Sequence, residues 1–292
     1  MFENPAKLFH FFIFNIMFPK ANRLKIVDQN PNKLPIYANL QGILNCSPMF
    51  YSVYLNFIIM RRDKVEKITI AIDGPAASGK STTAKLVAHK LGYLHIDTGA
   101  MYRAITLKAL DEKFDLSDKK KIVHLAQTST IRLEVKDGTT KVFLDDVEVT
   151  KRIRTQLVSR SVSTVSSYKG VRDVMVQEQR KMAASGGVVL EGRDIGTVVL
   201  PKAELKIFMI ASVEERARRR KKDLALAGIK ANEDDLIKEI ETRDQKDSTR
   251  EASPLRKAPD AIELDTSRLT IDEQVGFILE RAKKIIRKKE KS

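Results

Sequence analysis

Short runs of apolar residues alternate with amphipathic segments along most of the chain after residue 66. The runs are "KITIAID", "YLHID", "GVVLEGR", "LKIFMIA" and "AIELD". Each is nearly continuous in apolar residues, which is typical of strands that are buried on both faces. Between them, segments such as "SGKSTTAKLVAHKL" and "GAMYRAITLKAL" have helical spacing. This alternation predicts an α/β fold that is built on a parallel sheet.

Local signals indicate where some of the helices begin and end. Gly92 follows the first helical segment, and glycine often stands just beyond the C-terminus of a helix. Ser212 with Glu215, and Thr270 with Glu273, have the spacing of a capping box. We therefore expect two later helices to start directly after Ser212 and Thr270.

One region departs from the α/β rhythm. Residues 130–150, "TIRLEVKDGTTKVFLDDVEVT", alternate between apolar and polar positions and contain Asp137-Gly138. Alternation with period two predicts half-buried strands, and Asp-Gly between two such runs is a hairpin signal. The region is therefore expected to form a small antiparallel insert that stands off the parallel sheet.

The first 59 residues differ in composition from the rest of the 292-residue chain. They contain 8 of the 12 phenylalanines but only five lysines or arginines. Their two apolar runs, "FHFFIFNIMF" and "MFYSVYLNFIIM", are shorter than the roughly 20 residues that span a bilayer. We interpret residues 1–59 as a disordered or non-native extension and residues 60–292 as the working domain. An anchor or targeting segment is the alternative.

The overall charge points to negatively charged partners without choosing among them. The formal net charge is +15, which favours nucleic acid, an anionic membrane or phosphorylated small molecules. The single cysteine, Cys46, excludes an intrachain disulfide and fits a reducing compartment. We therefore expect a cytoplasmic protein.

A glycine-rich segment directly follows the first strand after residue 66. Gly74 and Gly79-Lys80-Ser81 match the pattern G-x-x-x-x-G-K-S between a strand and a helix, which is the context of a phosphate-binding loop. Backbone N–H groups and the helix N-terminus would hold phosphates, while Lys80 reaches the β- and γ-phosphates and Ser81 binds Mg²⁺. The residues expected to bind ATP here are Gly74, Pro75, Ala76, Ala77, Ser78, Gly79, Lys80, Ser81 and Thr82.

Such a loop does not identify the phosphate acceptor. A GTPase would carry the tetrapeptide Asn-Lys-x-Asp, which the chain lacks. An ATP-driven nucleic-acid motor would usually be longer and have a clear acidic strand end. The strand "VVLEGRD" ends in Glu191 and Asp194, so this possibility stays open.

Three further segments combine arginines with acidic or hydroxyl residues. "DTGAMYR" and "EGRDIGTVV" each follow a strand, so in a parallel sheet both lie at the edge that carries the phosphate-binding loop. "ETRDQKDSTR" places Arg243, Asp247 and Arg250 on one face of a helix. Each segment alone could be a solvated salt-bridge surface, but together they favour a highly charged substrate.

At these residues the chain resembles the bacterial-type cytidylate kinases. The motifs "IDGPAASGKST", "IDTGAMYRA", "EGRDIGTVV" and "RDQKDSTR" carry the resemblance, which covers about residues 67–286. It implies a five-stranded parallel sheet flanked by helices, as in P-loop nucleoside monophosphate kinases. It also implies a monophosphate-binding insert at about 125–165 and a short helical lid at about 216–232. The implied reaction transfers the γ-phosphoryl group of ATP to CMP or dCMP, within pyrimidine nucleotide metabolism.

The resemblance also implies a role for individual side chains. Thr98, Arg172 and Asp194 would read the cytosine, and Thr98 stands where many members have serine. Arg103 and Arg193 would hold the acceptor's phosphate, with Arg250 near the phosphates. Arg243 and Asp247 would hold the ribose, and Tyr102 and Ser163 would complete the pocket. Lys80, Arg193 and Arg250 would act in catalysis, and lid residues Arg218 and Arg219 would lie near ATP.

The chemistry of phosphoryl transfer agrees with this assignment, because positioning and positive charge do most of the work and no protein nucleophile is needed. We expect ATP, Mg²⁺ and CMP or dCMP as ligands, a monomer, and no nucleic-acid or membrane partner. Two alternatives stay open. One is a kinase of another nucleoside monophosphate, and the other is a basic P-loop protein that binds nucleic acid or a membrane.

Overall fold

The computed structural model describes residues 23–26, 36–39 and 67–291, apart from residues 137, 138 and 227. The chain forms two compact units, Met1–Val65 and Glu66–Ser292. In the first unit, strands β1 (Arg23–Ile26) and β2 (Ile36–Asn39) pair in antiparallel fashion. The rest of residues 1–59 lies outside the described residues, so the interpretation of this segment as an extension stays a prediction.

The second unit contains the predicted parallel sheet. Its five strands are β3 (Thr69–Asp73), β4 (Leu94–Asp97), β8 (Val188–Gly192), β9 (Leu205–Ile210) and β10 (Ile262–Asp265). All neighbours pair in parallel in the order β10-β9-β3-β8-β4. The five apolar runs of the sequence each supply one of these strands, and the predicted fold class is confirmed.

Eight α-helices connect or cover the strands in the part of the chain that the structure describes. They are α1 (Lys80–Leu91), α2 (Thr98–Asp111), α3 (Lys119–Thr128), α4 (Gln156–Ser167), α5 (Lys169–Ala183), α6 (Val213–Leu226), α7 (Glu233–Thr249) and α8 (Ile271–Lys289). A 3₁₀ turn spans Arg152–Arg154, and a π-helical turn spans Ile195–Val199. None of the helices in the described residues combines the length and the hydropathy of a membrane-spanning segment.

The predicted helix ends are found in the structure. Helix α1 ends at Leu91, and Gly92 follows it in the left-handed conformation with φ 66°. Thr270 and Glu273 form a complete capping box at the start of α8. At the start of α6, the hydroxyl of Ser212 accepts a hydrogen bond from the N–H of Glu215 at 3.2 Å.

The predicted antiparallel insert is also present. Strands β5 (Ile131–Lys136) and β6 (Thr139–Leu144) form a hairpin, with Ile131 opposite Leu144. A third short strand, β7 (Val147–Glu148), pairs with β6. The turn predicted at Asp137-Gly138 lies outside the described residues. Apolar residues of the insert share one core with helices α2 to α5.

Helices cover both faces of the parallel sheet. Successive residues of a strand point to opposite faces, so Ile70 and Ile72 pack with α1 and α8. Ala71, between them, belongs to the core on the other face, together with Val176 of α5. Because all five strands run parallel, the residues that follow each strand lie at the same C-terminal edge of the sheet.

Candidate active site

The loop between β3 and α1 can follow its path only with glycine at its first position. Gly74 has φ 149°, and a Cβ there would lie 2.0 Å from the carbonyl oxygen of Met209 on β9. Gly79 has φ 93° and stands at the N-cap of α1. The loop therefore wraps closely around the helix start, where backbone N–H groups and the helix dipole attract phosphate.

Lys80 is the only loop side chain with a strongly shifted pKa among the described residues. Its ammonium group donates to the carbonyl oxygen of Pro75 at 2.6 Å and to the hydroxyl of Ser78 at 3.2 Å. The residue is only 5% exposed. Burial, and next the positive charge of Arg193, lower the pKa of Lys80 to about 7.

Oxygen atoms that suit a magnesium ion lie beside the loop. The hydroxyl of Ser81 donates to Glu191 Oε2 at 2.6 Å, and Nε2 of His95 lies 2.9 Å from Glu191 Oε1. Thr98 donates to the carbonyl oxygen of Glu191 at 2.7 Å. Mg²⁺ prefers carboxylate and hydroxyl oxygens together with substrate phosphates. Ser81 and Glu191 therefore fit the ion that the sequence predicts here.

A buried ion pair joins α5 to the segment that follows β8. Arg172 of α5 donates to Asp194 Oδ2 at 2.5 Å, and the two residues are 2% and 4% exposed. Arg172 also donates to the carbonyl oxygen of Ser166 at 3.1 Å, and its guanidinium lies 5.3 Å from the centre of the Tyr102 ring. A pair that is held so firmly can present fixed hydrogen-bonding groups to a ligand.

A second group of arginines surrounds Asp247 of α7. Arg193 donates to Asp247 Oδ2 at 2.9 Å, and Arg250 lies 3.7 Å from Asp247 Oδ1. Burial opposes ionisation of Asp247, but Arg193 and Arg243 outweigh it and keep the pKa of Asp247 below its ordinary value. Burial, and then Arg193, lower the pKa of Arg243 to about 10. The guanidinium groups therefore lie close enough for the positive charge of one to disfavour the charged form of another.

Arg103 is oriented by a carboxylate at the start of α2. Asp97 is the N-cap of this helix and accepts from the N–H of Ala100 at 2.9 Å. Its other oxygen accepts from Arg103 at 2.9 Å and lies 3.5 Å from Arg154. Burial disfavours the charge on Asp97, but Arg103 and Arg154 outweigh it and lower its pKa. Asp97 thus holds two guanidinium groups at the cleft.

Several donors of these arginines have no hydrogen-bond partner among the described residues. They are Nε of Arg103, Arg172 and Arg243, and Nη2 of Arg250. A buried donor that stays unpaired costs about 1–3 kcal/mol. Four such donors around one cleft indicate that it is built to receive acceptor atoms from a ligand, and their charge favours an anion.

The predicted residues are gathered around one cleft of about 630 Å³. Most of them line it: Ala76, Ala77, Lys80, Ser81, Thr82, Thr98, Tyr102, Arg103, Ser163, Arg172, Arg193, Asp194, Arg243, Asp247 and Arg250. Arg250 follows the last residue of α7 rather than continuing the helical face, yet it still reaches Asp247. Gly74, Pro75, Ser78 and Gly79 shape the loop behind the lining residues.

The structure does not bring the two predicted lid arginines into the cleft. Arg218 is exposed and pairs with Glu215 on the surface of α6. Arg219 also binds Glu215 and donates to the carbonyl oxygen of Thr266 at 2.7 Å. Arg219 lies close to Gly79, since a Cβ on that glycine would be 3.4 Å from its Nη1. Its proximity to the loop keeps its role near ATP a prediction.

Sequence reasoning missed several residues that line the cleft or contact its loop. Arg220, rather than Arg218, lines it from α6. Arg216 is 5% exposed, pairs with Asp244, and lies 3.4 Å from the carbonyl oxygen of Ala76 in the loop. Asp97 stood inside a recognised motif, but its contacts with Arg103 and Arg154 depend on tertiary structure. No local pattern distinguishes Arg220 or Arg216 from the neighbouring basic residues.

Comparison with known proteins bears directly on this geometry. The family model described as "Cytidylate kinase" matches residues 70–284, which include the loop, the insert and the arginines of the cleft. The chain belongs to the cytidylate kinase family. It is therefore an enzyme of the kinase class, and the family predicted from its motifs is confirmed.

Individual cytidylate kinases are similar over nearly their whole length. The chain is 53% identical to the cytidylate kinase of Lactobacillus gasseri over 223 residues, or 76% of this chain and 95% of that protein. It is also 53% identical to the cytidylate kinase of Bacillus subtilis over 216 residues, or 74% and 96% of the two chains. A solved shikimate kinase from Bacteroides thetaiotaomicron, at 13% identity, covers 74% of this chain and 98% of its own with a TM-score of 0.40. A likeness that weak carries no functional argument.

Proposed function

We propose that the protein transfers the γ-phosphoryl group of ATP to CMP or dCMP, giving ADP and CDP or dCDP in pyrimidine nucleotide metabolism. One observation carries the proposal. A single cleft is lined by residues of the phosphate-binding loop, by the buried Arg172–Asp194 pair and by the arginines around Asp247. We call the part of the lining formed by the loop the donor end and the remainder the acceptor end. A phosphorylated donor and a phosphorylated acceptor can therefore meet in it.

The donor end would hold ATP by its phosphates. Backbone N–H groups of the loop and the N-terminus of α1 would bind the β- and γ-phosphates, and Lys80 would neutralise part of their charge. Mg²⁺ would be held by Ser81, with Glu191 beside it, and would neutralise further phosphate charge. Together these groups would hold the γ-phosphoryl group for transfer to the acceptor.

The acceptor end would hold CMP through its phosphate and ribose. Arg103, Arg193 and Arg250 would present guanidinium donors to phosphate oxygens, and Arg243 with Asp247 would bind the ribose hydroxyls. All five residues line the cleft. The transition state of phosphoryl transfer is loose and spreads negative charge over several oxygens. Fixed positive charge at those oxygens lowers the barrier without a protein nucleophile.

The buried pair would read the base. An ionised Asp194 accepts a hydrogen bond from the amino group of cytosine and repels the carbonyl oxygen that uracil carries at the same position. Arg172 has an unpaired Nε–H that can donate to an acceptor on the cytosine ring. Thr98, 4% exposed, lies in the same lining. A site that depends on buried polar pairing rejects ligands that leave its groups unpaired.

The decisive experiment is an ADP-release assay with a panel of acceptors: CMP, dCMP, UMP, AMP and dTMP, with and without Mg²⁺. We expect the highest kcat/KM with CMP or dCMP and loss of turnover on chelation of Mg²⁺. A preference for another monophosphate would replace the proposed substrate. Salt-sensitive binding of duplex nucleic acid without acceptor-dependent ADP release would overturn the proposal.

A further inference from the structure

Asp73 is a buried carboxylate whose hydrogen bonds come from a turn outside the phosphate-binding loop. It is the last residue of β3, directly before Gly74, and is 5% exposed. Its Oδ1 accepts a hydrogen bond from the N–H of Ile195 at 2.8 Å, and its Oδ2 accepts from the N–H of Gly196 at 2.7 Å. Both oxygens are therefore committed to the first residues of the π-helical turn Ile195–Val199.

That turn directly follows the two residues proposed to bind the acceptor's phosphate and base. Arg193 pairs with Asp247 and Asp194 pairs with Arg172, and both side chains line the cleft. On the other side, β8 ends at Gly192, which lies opposite Asp73 in the parallel sheet. Residues 193 and 194 therefore lie between two contacts with Asp73. Before them, Gly192 pairs with Asp73 in the sheet, and after them, Ile195 and Gly196 donate hydrogen bonds to the Asp73 side chain.

The turn also packs closely on this carboxylate. A Cβ on Gly196 would lie 3.4 Å from Asp73 Oδ2 and 3.2 Å from Cδ of Lys206. Little space is left for the turn to move toward β3 without displacing Asp73 or Lys206. The position of the turn therefore depends on the length and charge of the residue 73 side chain.

Keeping a charged group here is costly, which argues against a role in packing alone. Burial raises the pKa of Asp73 to about 6, although the N–H groups of Gly196 and Ile195 favour its charged form. The other charged groups that act on it are Asp194, which raises its pKa, and Lys80, which lowers it. The two backbone hydrogen bonds are the main interactions that offset this cost, since a carboxylate is tolerated in the protein interior only when it is hydrogen-bonded or paired.

We propose that Asp73 is a positioning residue that fixes Arg193 and Asp194 relative to the phosphate-binding loop and thereby sets the preference for cytosine. The inference rests on the proposed function, because it concerns the acceptor end of the same cleft. It extends that function by linking the strand that begins the donor loop to the residues that read the acceptor.

The test replaces Asp73 by asparagine in the full chain. The amide has nearly the same shape, but its NH₂ group replaces one of the two oxygens and cannot accept, so the N–H of Ile195 or of Gly196 loses its partner oxygen. Gly196→Ala keeps the carboxylate but places a methyl group 3.4 Å from Asp73 Oδ2 and 3.2 Å from Cδ of Lys206, so it crowds the contact between the turn and Asp73. Glu204→Gln is the matched control, because Glu204 accepts from the N–H of Thr69 at 2.8 Å at the opposite end of β3.

The kinetic constants for ATP, CMP and UMP are measured for each variant, together with the melting temperature. In Asp73→Asn and Gly196→Ala we expect kcat/KM for CMP to fall by at least about tenfold and the CMP-to-UMP ratio to fall with it. KM for ATP should change by less than about threefold. Glu204→Gln should lower the melting temperature at most and leave the ratio unchanged.

A merely structural role would lower stability without moving the ratio. An unchanged CMP-to-UMP ratio in both test variants, or equal losses toward ATP and CMP, would overturn the inference while leaving the kinase function in place. Absence of CMP-dependent ADP release from the unmodified protein would overturn the proposed function and this inference together.

Discussion

The lowered pKa of Lys80 predicts that the enzyme takes up a proton when ATP binds. Burial and the neighbouring Arg193 lower the pKa of Lys80 to about 7, so much of this residue is neutral above neutral pH. A phosphate charge placed about 4 Å away, at an effective dielectric constant of about 20, favours the ammonium form by ~4 kcal/mol. That is enough to raise the pKa by about three and restore full protonation in the complex.

The size of the uptake follows from the two protonation states. At about pH 8, Lys80 with a pKa near 7 is roughly one-tenth charged before binding, so binding should take up about 0.9 proton. At about pH 6 the residue is already charged, and the uptake should fall to about 0.1. Since the charged form of Lys80 binds phosphate, the affinity for ATP should decrease by up to about tenfold for each pH unit above about 7.

Calorimetry of Mg-ATP binding in two buffers with different ionisation enthalpies measures the uptake directly. Lys80→Arg is the matched control, because a guanidinium stays charged across this range and takes up no proton. Any proton uptake or release measured with this variant therefore comes from the nucleotide itself. The difference between the two proteins is therefore the contribution of Lys80. An equal proton uptake by both proteins at about pH 8 would refute the reasoning.

Three other results are expected. Lys80→Ala should lower kcat by at least about 10³-fold in a protein with an unchanged far-ultraviolet circular dichroism spectrum, and a near-normal kcat would exclude its role in the transition state. Asp194→Ala should lower kcat/KM for CMP far more than for UMP, since such a site can discriminate by roughly 10⁴-fold; a constant ratio would mean that Asp194 only supports neighbouring arginines. Residues 60–292 alone should match the full chain in melting temperature and kcat, and loss of either would show that the first 59 residues complete the folded domain.

The features that were predictable from sequence are those that depend on nearby residues. The five apolar runs, the glycine after α1 and the capping box at Thr270 each act within a few positions, and the structure contains all of them. The phosphate-binding loop is recognisable for the same reason, because its glycines, lysine and serine serve one turn and one helix start. The insert followed from simple alternation of apolar and polar residues.

The acceptor end could not be derived in this way. Arg172 and Asp194 are 22 positions apart and lie on different elements, and no periodicity links them. Their pairing became an expectation only through the resemblance to a family. Asp73 and Asp97 lie within recognised motifs, but their contacts were not predicted. An acidic residue at a strand end has many uses, and only the folded chain shows which N–H groups or arginines it meets.

The lid shows a limit of reading charge from sequence. Consecutive arginines in α6 point to different sides of the helix, so Arg216 is buried against Asp244 while Arg218 pairs with Glu215 in solvent. Arg220 lines the cleft. Composition identifies the basic segment, but the rotation of the helix decides which cation reaches a ligand.

The electrostatics of the cleft make Arg193 the link between its two ends. Its positive charge lowers the pKa of Lys80 at the donor end and the pKa of Arg243 at the acceptor end, so it acts on both cations. Such mutual repulsion is unfavourable in the protein alone and is relieved when negative charge enters between the cations. In phosphoryl transfer that negative charge lies on the oxygens of the group in transit. In the proposed reaction Arg193, as a cation that acts on both ends, would therefore be best placed to stabilise the transition state. Asp247 accepts its hydrogen bond directly, and on the inference made above the turn bonded to Asp73 would hold its backbone in place.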